Sequence, residues 1–336
     1  METSADATPN ASRPDTKSRS SMPAVVGIAL GLTALVMVIL TAFAYPATHA
    51  EANNIPIAVV GPEPAVLELS TRLARQGDGD AFEVQTLTDR DAARSAVDRR
   101  EIYGAIVVGP QGGEMLVASA ASPAVAQLLA GVAAGIPVEA GGPLQVTDVV
   151  ELPQADPRGT AIAASLLPLI VAGVGSAALI FLRVEGTRLQ LVAAAATAIS
   201  VGFGVSLILS TWLDALPGSF LLLWGSFALA IGSISVLSLG LCRLMGVAGI
   251  GVGALLVMFL GNPFSGATSA PELLPAGWGL MGQLLPPGAS ASLLRSTSYF
   301  EGGGAGFPVL VLCSWLALGG VLMVAGSRRS VTSDVV

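Results

Sequence analysis

Very few side chains in this sequence have the type and spacing that catalysis or metal binding requires. The only histidine, His49, has no cysteine near it, so we expect no zinc site. The only lysine is Lys17, and the Gly-x-x-x-x-Gly-Lys-[Ser/Thr] pattern of a phosphate-binding loop does not occur. The Gly-x-Ser-x-Gly pattern of serine hydrolases is also absent. The sequence therefore predicts no catalytic, cofactor-binding or metal site, and we do not expect an enzyme.

Charged side chains are dense in one short stretch, residues 89–100, whose members are Asp89, Arg90, Asp91, Arg94, Asp98, Arg99 and Arg100. On a helix, the spacing places Asp91 beside Arg94 and Arg94 beside Asp98. We interpret this stretch as a solvated, ion-paired helix face and not as a reactive site.

The main feature of the rest of the sequence is a set of apolar stretches long enough to span a membrane. About 20 residues of helix cross a hydrocarbon core of about 30 Å. Six stretches meet this length, at residues 24–44, 161–182, 189–209, 219–241, 244–261 and 307–326. None has an Asp, Glu, Lys, Arg or His near its centre. The pattern predicts a polytopic α-helical membrane protein with six transmembrane helices and no ion or proton relay, so any transport would draw its energy from another protein.

Basic residues in the short loops predict the orientation in the membrane. Arginines and one lysine flank alternate ends of the spans, at Arg13, Lys17, Arg19, Arg183, Arg188, Arg243, Arg328 and Arg329. Cytoplasmic loops carry this excess, so we expect both termini in the cytoplasm. The polar block after the first span is then extracytoplasmic. The location that follows is a plasma membrane, and the scarcity of lysine beside abundant alanine, glycine and arginine suggests a bacterial one.

The polar block, residues 46–158, reads as a small α/β domain between transmembrane helices 1 and 2. Strands are predicted at 55–60, 82–87, 103–108, 115–119 and 145–150, and helices at 65–75, 90–100 and 124–134. The order βαβαββαβ predicts a mixed sheet covered by helices. Residues 49–158 hold fifteen acidic residues and seven arginines, which argues against a nucleic-acid partner.

The rest of the chain divides into a disordered cytoplasmic tail at 1–22, transmembrane helix 1 at 23–45, a five-helix bundle at 159–327 and a second cytoplasmic tail at 328–336.

The first span has an alternative interpretation as a signal peptide with a cleavage site near Ala50. Its apolar stretch is longer than a typical signal-peptide core of 7–15 residues, so we favour an uncleaved anchor.

The last outer loop, residues 263–305, is too apolar for a simple connection. Its apolar segments are too short to span and precede Pro286 and Pro287, as in re-entrant or interfacial helices. Trp278 suits a position at headgroup depth. We expect a re-entrant loop marked by Asn262, Pro271, Glu272, Trp278, Pro286, Pro287 and Arg295.

This organisation resembles the type-2 ABC transporter permeases, in particular their phage-infection-protein-like members. The residues that carry the likeness are Ile57-Ala58-Val59-Val60, Leu69-Ser70-Thr71-Arg72-Leu73, Tyr103-Gly104-Ala105-Ile106-Val107-Val108, Asp156-Pro157-Arg158-Gly159 and the stretch 262–304. The likeness covers nearly the whole chain after residue 22.

The resemblance implies a homodimeric permease subunit in the lipid bilayer that works with a separate cytoplasmic ATPase and exports a lipid, polymer or drug-like substrate. In such permeases the loop between spans two and three contacts the ATPase, which here implies Arg183, Glu185 and Arg188. The alternative hypothesis is a non-transporting membrane scaffold or receptor whose outer domain binds an envelope partner.

Overall fold

The computed structural model describes residues 22–75, 80–109, 112–138 and 142–333, and these are mostly helical. The predicted tail at 1–22 lies outside them except for Met22, and so do residues 334–336. The helices are α1 (Met22–Thr48), α2 (Glu63–Leu73), α3 (Arg90–Asp98), α4 (Pro123–Ala134), α5 (Ala161–Arg183), α6 (Thr187–Leu207), α7 (Phe220–Met245), α8 (Ala248–Ala254), α9 (Trp278–Gln283), α10 (Pro286–Tyr299) and α11 (Gly306–Ser333). The strands are β1 (Ile55–Val60), β2 (Phe82–Thr86), β3 (Gly104–Gly109), β4 (Gly112–Val117), β5 (Pro137–Val138), β6 (Gly142–Pro143) and β7 (Gln145–Asp148).

Helix α1 begins at Met22, and its residues up to Thr41 belong to a compact unit separate from the one that starts at Ala42. Its apolar side chains are exposed over this length, as at Ile28 and Leu30. Residues Met22–Pro46 are long and apolar enough to cross a membrane. An apolar helix is stable in lipid, where its backbone groups bond internally.

The sheet has the strand order β2-β1-β3-β4-β7. Strand β1 is parallel to β2 and β3, β3 and β4 are antiparallel, and β4 and β7 are parallel. The predicted order of strands and helices is confirmed, and the short β5–β6 pair adds to it. Strand β1 is an interior strand between β2 and β3, and its sequence, Ile-Pro-Ile-Ala-Val-Val, suits burial on both faces.

Each face of the sheet has its own apolar core. On one face, Ile57 and Val59 of β1 pack with Leu73 of α2 and Leu129 of α4. On the other face, α3 and Phe300 cover the sheet; this core contains Ala58, Val60, Ala93, Ala96, Val97 and Phe300. Since Phe300 follows α10, the second core joins the sheet to the segment before α11.

Helix α7 is the centre of the helical part. Glycines let its neighbours approach closely, because a Cβ at Gly173 of α5 would lie 2.5 Å from Cγ2 of Ile234, and one at Gly319 of α11 would lie 2.5 Å from the nitrogen of Leu237. Small residues serve this purpose at helix contacts in membranes. Helix α6 also approaches α7 through a glycine, Gly202.

The prediction of six transmembrane helices is not confirmed in the described residues, where five helices are long and apolar enough to cross a membrane. They are Met22–Pro46, Ala161–Arg183, Thr187–Trp212, Phe220–Met245 and Gly306–Ser327. The predicted span at 244–261 is the exception. Its first two residues extend α7, Gly246 with φ 65° ends that helix, and only the apolar helix Ala248–Gly261 remains, its second half a wider turn of π-helix. At about 1.5 Å per residue it covers about 21 Å, less than a hydrocarbon core.

Helix α11 continues beyond the predicted span to Ser333. Part of the segment predicted as a C-terminal tail, residues 328–333, therefore has helical backbone. The side of the membrane on which either end lies remains a prediction.

Candidate functional site

The most concentrated polar chemistry lies where the sheet meets the residues before α11. Arg100 follows α3 in a left-handed conformation, with φ 58°, and this turn points its side chain away from the helix axis. Its Nη1 donates hydrogen bonds to the carbonyl oxygen of Ser292 at 2.9 Å and to Oγ of Ser296 at 2.7 Å. The guanidinium carbon lies 5.6 Å from the ring centre of Phe300. One arginine of the sheet region thus binds two serines and an aromatic ring in and just after α10.

A second link joins β3 to the turn Pro271–Leu273. The Tyr103 hydroxyl, just before β3, donates a 2.7 Å hydrogen bond to Oε2 of Glu272. The backbone N–H of Asn53 donates to the carbonyl oxygen of Glu272 at 2.8 Å, and Nδ2 of Asn53 donates to the carbonyl oxygen of Leu274 at 2.9 Å. Side chain and backbone of Glu272 are therefore both engaged by the sheet region.

A glycine makes the third link. Gly303 lies so close to the end of α3 that a Cβ there would overlap the carbonyl oxygen of Asp98 and lie 3.3 Å from Cα of Arg99. Only glycine permits this approach of two backbones. The three links hold the sheet and the residues before α11 in one compact unit, which runs from Ala42 onward.

The surroundings of the junction shift the pKa values of two of its ionisable groups. Burial, together with the nearby positive charge of Arg295, lowers the pKa of Arg100 to about 10. Burial raises the pKa of Tyr103, and the negative charge of Glu272 adds to that rise. Tyr103 is therefore a neutral hydrogen-bond donor and Arg100 is charged near neutral pH.

A cavity of about 540 Å³ opens at this junction. Arg100, Tyr103 and Glu272 contribute polar groups to its lining, and Leu280 and Phe307 contribute apolar surface. Its volume lies within the range of small-molecule sites, about 300–1,000 Å³.

Some of the predicted loop residues line the cavity at the junction, and others stabilise the helices beside it. Glu272 and Pro271 line the cavity. Arg295, only 4% exposed, donates through Nη2 to the carbonyl oxygen of Ala267 at 3.1 Å and thereby ties α10 to the preceding turn. Pro286 and Pro287 occupy the first turn of α10, where the missing N–H costs nothing.

Asn262 and Trp278 are not among the residues that line the cavity. The carbonyl oxygen of Asn262 accepts from Oγ of Ser265 at 2.7 Å. Trp278 opens α9, and its ring centre is 4.5 Å from Phe264 and 5.2 Å from Tyr45. Helices α9 and α10, of 6 and 14 residues, are too short to span, and twelve residues of α10 are buried.

The predicted ATPase-contact residues lie together at the turn between α5 and α6. Arg183, Glu185 and Arg188 are all exposed, and within the described residues none of them forms a hydrogen bond or ion pair through its side chain. Gly186, with φ 84°, makes the turn. Behind it, Arg243 of α7 donates through Nε to Oε1 of Gln190 at 2.9 Å, and Nε2 of Gln190 donates to the carbonyl oxygen of Val184 at 2.8 Å.

The sequence interpretation missed Arg100, Tyr103, Ser292 and Ser296, and for Arg100 it was wrong. Arg100 is not part of a solvated helix face, because α3 ends at Asp98 and the left-handed turn directs Arg100 into the junction. The Arg94–Asp98 pair is confirmed at 3.4 Å, whereas the described ion pairs do not include Asp91 with Arg94. No pattern of spacing signals Arg100, since its partners lie 192 and 196 residues away.

No protein-family model, curated protein or solved structure matches this chain. In the residues that the structure describes, no group of three or more His, Cys, Asp or Glu side chains could hold a metal ion.

Proposed function

We propose that this chain is the membrane subunit of an exporter of the type-2 ABC kind, which moves a lipid, polymer or drug-like substrate with the energy of a separate cytoplasmic ATPase. In this proposal the subunit lies in a bacterial plasma membrane as a homodimer, with both termini in the cytoplasm and residues 46–158 outside. The segment 263–305 is its outer re-entrant loop.

The observation that carries the proposal is the position of α10 between the sheet and the bundle. On one side, Ser296 of α10 binds Arg100. On the other side, Thr297 accepts a 3.2 Å hydrogen bond from Oγ of Ser226 in α7, and Trp315 of α11 donates to the carbonyl oxygen of Leu284, just before α10. In the proposed exporter, a shift of the central helices would pass through these contacts to the sheet, as a gated export path requires.

The turn between α5 and α6 supports the ATPase part of the proposal. Helix α5, with 23 residues, is about 34 Å long, so this turn and the sheet lie at opposite ends of a helix that can cross the bilayer. Arg183, Glu185 and Arg188 are exposed there and have no competing partner within the described residues. Free charges of both signs suit a polar contact with another protein.

The test is native mass spectrometry of the complex purified in mild detergent from its own membrane. We expect a stoichiometric nucleotide-binding ATPase, and we expect Glu185→Ala with Arg188→Ala to reduce its recovery while the subunit stays folded. Arg158→Ala, an exposed arginine before α5, is the matched control and is expected to leave recovery unchanged.

Two results together would contradict the proposal: recovery of the subunit without an ATPase, and unchanged export when the subunit is deleted. An envelope protein bound in place of the ATPase would instead favour the scaffold or receptor hypothesis. The size and polar lining of the junction cavity are the features that this second hypothesis has in its favour.

A further inference from the structure

We infer that the junction cavity binds an amphiphile with a phosphodiester headgroup, its phosphate at Arg100 and its acyl chains against Leu280 and Phe307. The inference concerns binding alone and does not depend on the proposed transport. The cavity joins a charged donor and an exposed apolar wall in about 540 Å³, which is the combination that such an amphiphile requires.

Arg100 has donors left over for a ligand. Only its Nη1 is bonded, to Ser292 and Ser296, and within the described residues Nε and Nη2 have no protein acceptor. Neither atom is among the fully enclosed polar atoms without a partner, and Arg100 lines the cavity. An arginine fork with two free N–H groups matches the oxygens of a phosphate or carboxylate.

Glu272, Asn53 and Gln283, which also line the cavity, already have partners for their side chains. Glu272 accepts from Tyr103, and the amide nitrogen of Asn53 donates to backbone oxygens. Gln283 donates to the carbonyl oxygen of Ser265 and accepts from Ser292. Arg100 is consequently the cation with unused donors among the described lining residues, and an anion is the group it would bind.

The apolar wall places the cavity at headgroup depth. Phe307 belongs to the first turn of the apolar helix Gly306–Ser327, and Leu280 is a residue of α9. Their side chains are 50% and 68% exposed, so hydrocarbon chains can lie against them. The end of a membrane-spanning helix lies at the interface, where phospholipid phosphate is the abundant anion.

A diester fits the charges of the cavity better than free phosphate does. Asp80 is exposed and also lines the cavity, as Glu272 does. Repulsion from these two carboxylates grows with the charge of the ligand. A phosphodiester carries a single negative charge, and burial of its chains adds affinity.

The test uses purified full-length protein and three probes that separate headgroup from chains. Dihexanoylphosphatidylglycerol, below its micelle concentration, has both; glycerol 3-phosphate has only the phosphate; dihexanoylglycerol has only the chains. We expect the phospholipid to bind at least about tenfold tighter than either other probe, and Arg100→Gln to weaken it about tenfold or more. Arg90→Gln, outside the cavity, is the matched control.

Each departure from this ranking overturns a stated part of the inference. Equal binding of glycerol 3-phosphate would mean a free-phosphate site, equal binding of dihexanoylglycerol would mean a phosphate-independent apolar site, and full binding by Arg100→Gln would remove Arg100 from it.

A second measurement keeps the test decisive if Arg100→Gln does not fold. In the Leu280→Cys variant, the phospholipid is expected to slow labelling of the introduced thiol at least about threefold, and native Cys313, which is exposed and outside the cavity, is expected to label at an unchanged rate. Unchanged labelling of the introduced thiol, or equal slowing at Cys313, would overturn the inference.

Discussion

The Tyr103 hydroxyl donates a 2.7 Å hydrogen bond to the carboxylate of Glu272, across 169 residues of chain. Tyr103 is in the sheet region, just before β3, and Glu272 is in the turn that leads to α9. With Arg100 bound to Ser292 and Ser296, this contact makes the sheet region part of the same structure as the helices, so the strength of the junction can be measured as stability.

Tyr103→Phe is expected to lower the free energy of unfolding by about 1–3 kcal/mol, because the half-buried carboxylate of Glu272 loses its donor. Chemical denaturation of the purified protein in detergent measures it. Tyr45→Phe is the control, since the described residues offer its hydroxyl no hydrogen-bond partner. Equal losses in the two variants would contradict a specific role for the Tyr103–Glu272 bond.

Gly303→Ala is expected to cost about 1–3 kcal/mol and to expose the junction to proteases, because its Cβ would overlap the carbonyl oxygen of Asp98. Thermal unfolding and limited proteolysis measure the two effects. Gly306→Ala in the same segment meets nothing within 4 Å and is the matched control. If Gly303→Ala changes neither the thermal stability nor the protease resistance, the junction accommodates the added Cβ freely, which would contradict the prediction.

Asp156→Ala is expected to destabilise the start of α5 by about 0.5–2 kcal/mol. Oδ1 of Asp156 accepts from the N–H and hydroxyl of Thr160 at 2.9 and 3.0 Å, and Oδ2 accepts from the N–H of Ala161 at 2.7 Å. Asp156→Asn keeps one acceptor and is expected to fall between wild type and Asp156→Ala in denaturation experiments. Glu151→Ala, an exposed carboxylate in the same linker, is the control; a loss equal to that of Asp156→Ala would count against capping.

The pH dependence of stability is expected to include Glu114. Its bidentate hydrogen bond with Arg90, at 2.8 and 3.0 Å, holds the pKa of the carboxyl below its usual range, and a bond from Thr147 acts in the same direction. A carboxyl with a lowered pKa in the folded state stabilises the protein above its ordinary pKa of about 4.3, and that contribution is lost as the pH falls through the folded pKa.

Arg90→Gln is therefore expected to lose less stability than wild type when the pH is lowered from about 5 to about 3, as followed by denaturation at each pH. Arg94→Gln removes the longer 3.4 Å pair with Asp98 and leaves Glu114 intact, so its pH profile is expected to keep the wild-type slope around Glu114. Identical slopes in all three proteins would contradict the assignment to Glu114.

Local chemistry in the sequence determined most of the secondary structure. The strand at Ile55–Val60 has its predicted bounds because β-branched residues are followed by Gly61 and Pro62. Asp89, directly before α3, caps this helix by accepting from the N–H of Ala92 at 2.8 Å. Apolar length alone predicted the five helices that are long enough to cross a membrane.

Tertiary structure decided the ends of elements and the candidate site. The stretch at 244–261 is shorter than its apolar length suggested, because α7 takes Leu244 and Met245 before Gly246 breaks the helix. Composition cannot locate such a break, since Gly202 and Gly249 lie within helices.

Tertiary structure also decided which charged residue belongs to the candidate site. By sequence, Arg100 resembles its neighbour Arg99, which is exposed. The left-handed turn at Arg100 and the packing of Gly303 against the end of α3 bring Arg100 to Ser292 and Ser296. Periodicity and capping act over a few residues, and a sequence pattern records them. The pairing of residues almost 200 positions apart depends on how whole elements pack, and for this chain that packing decides where a ligand could bind.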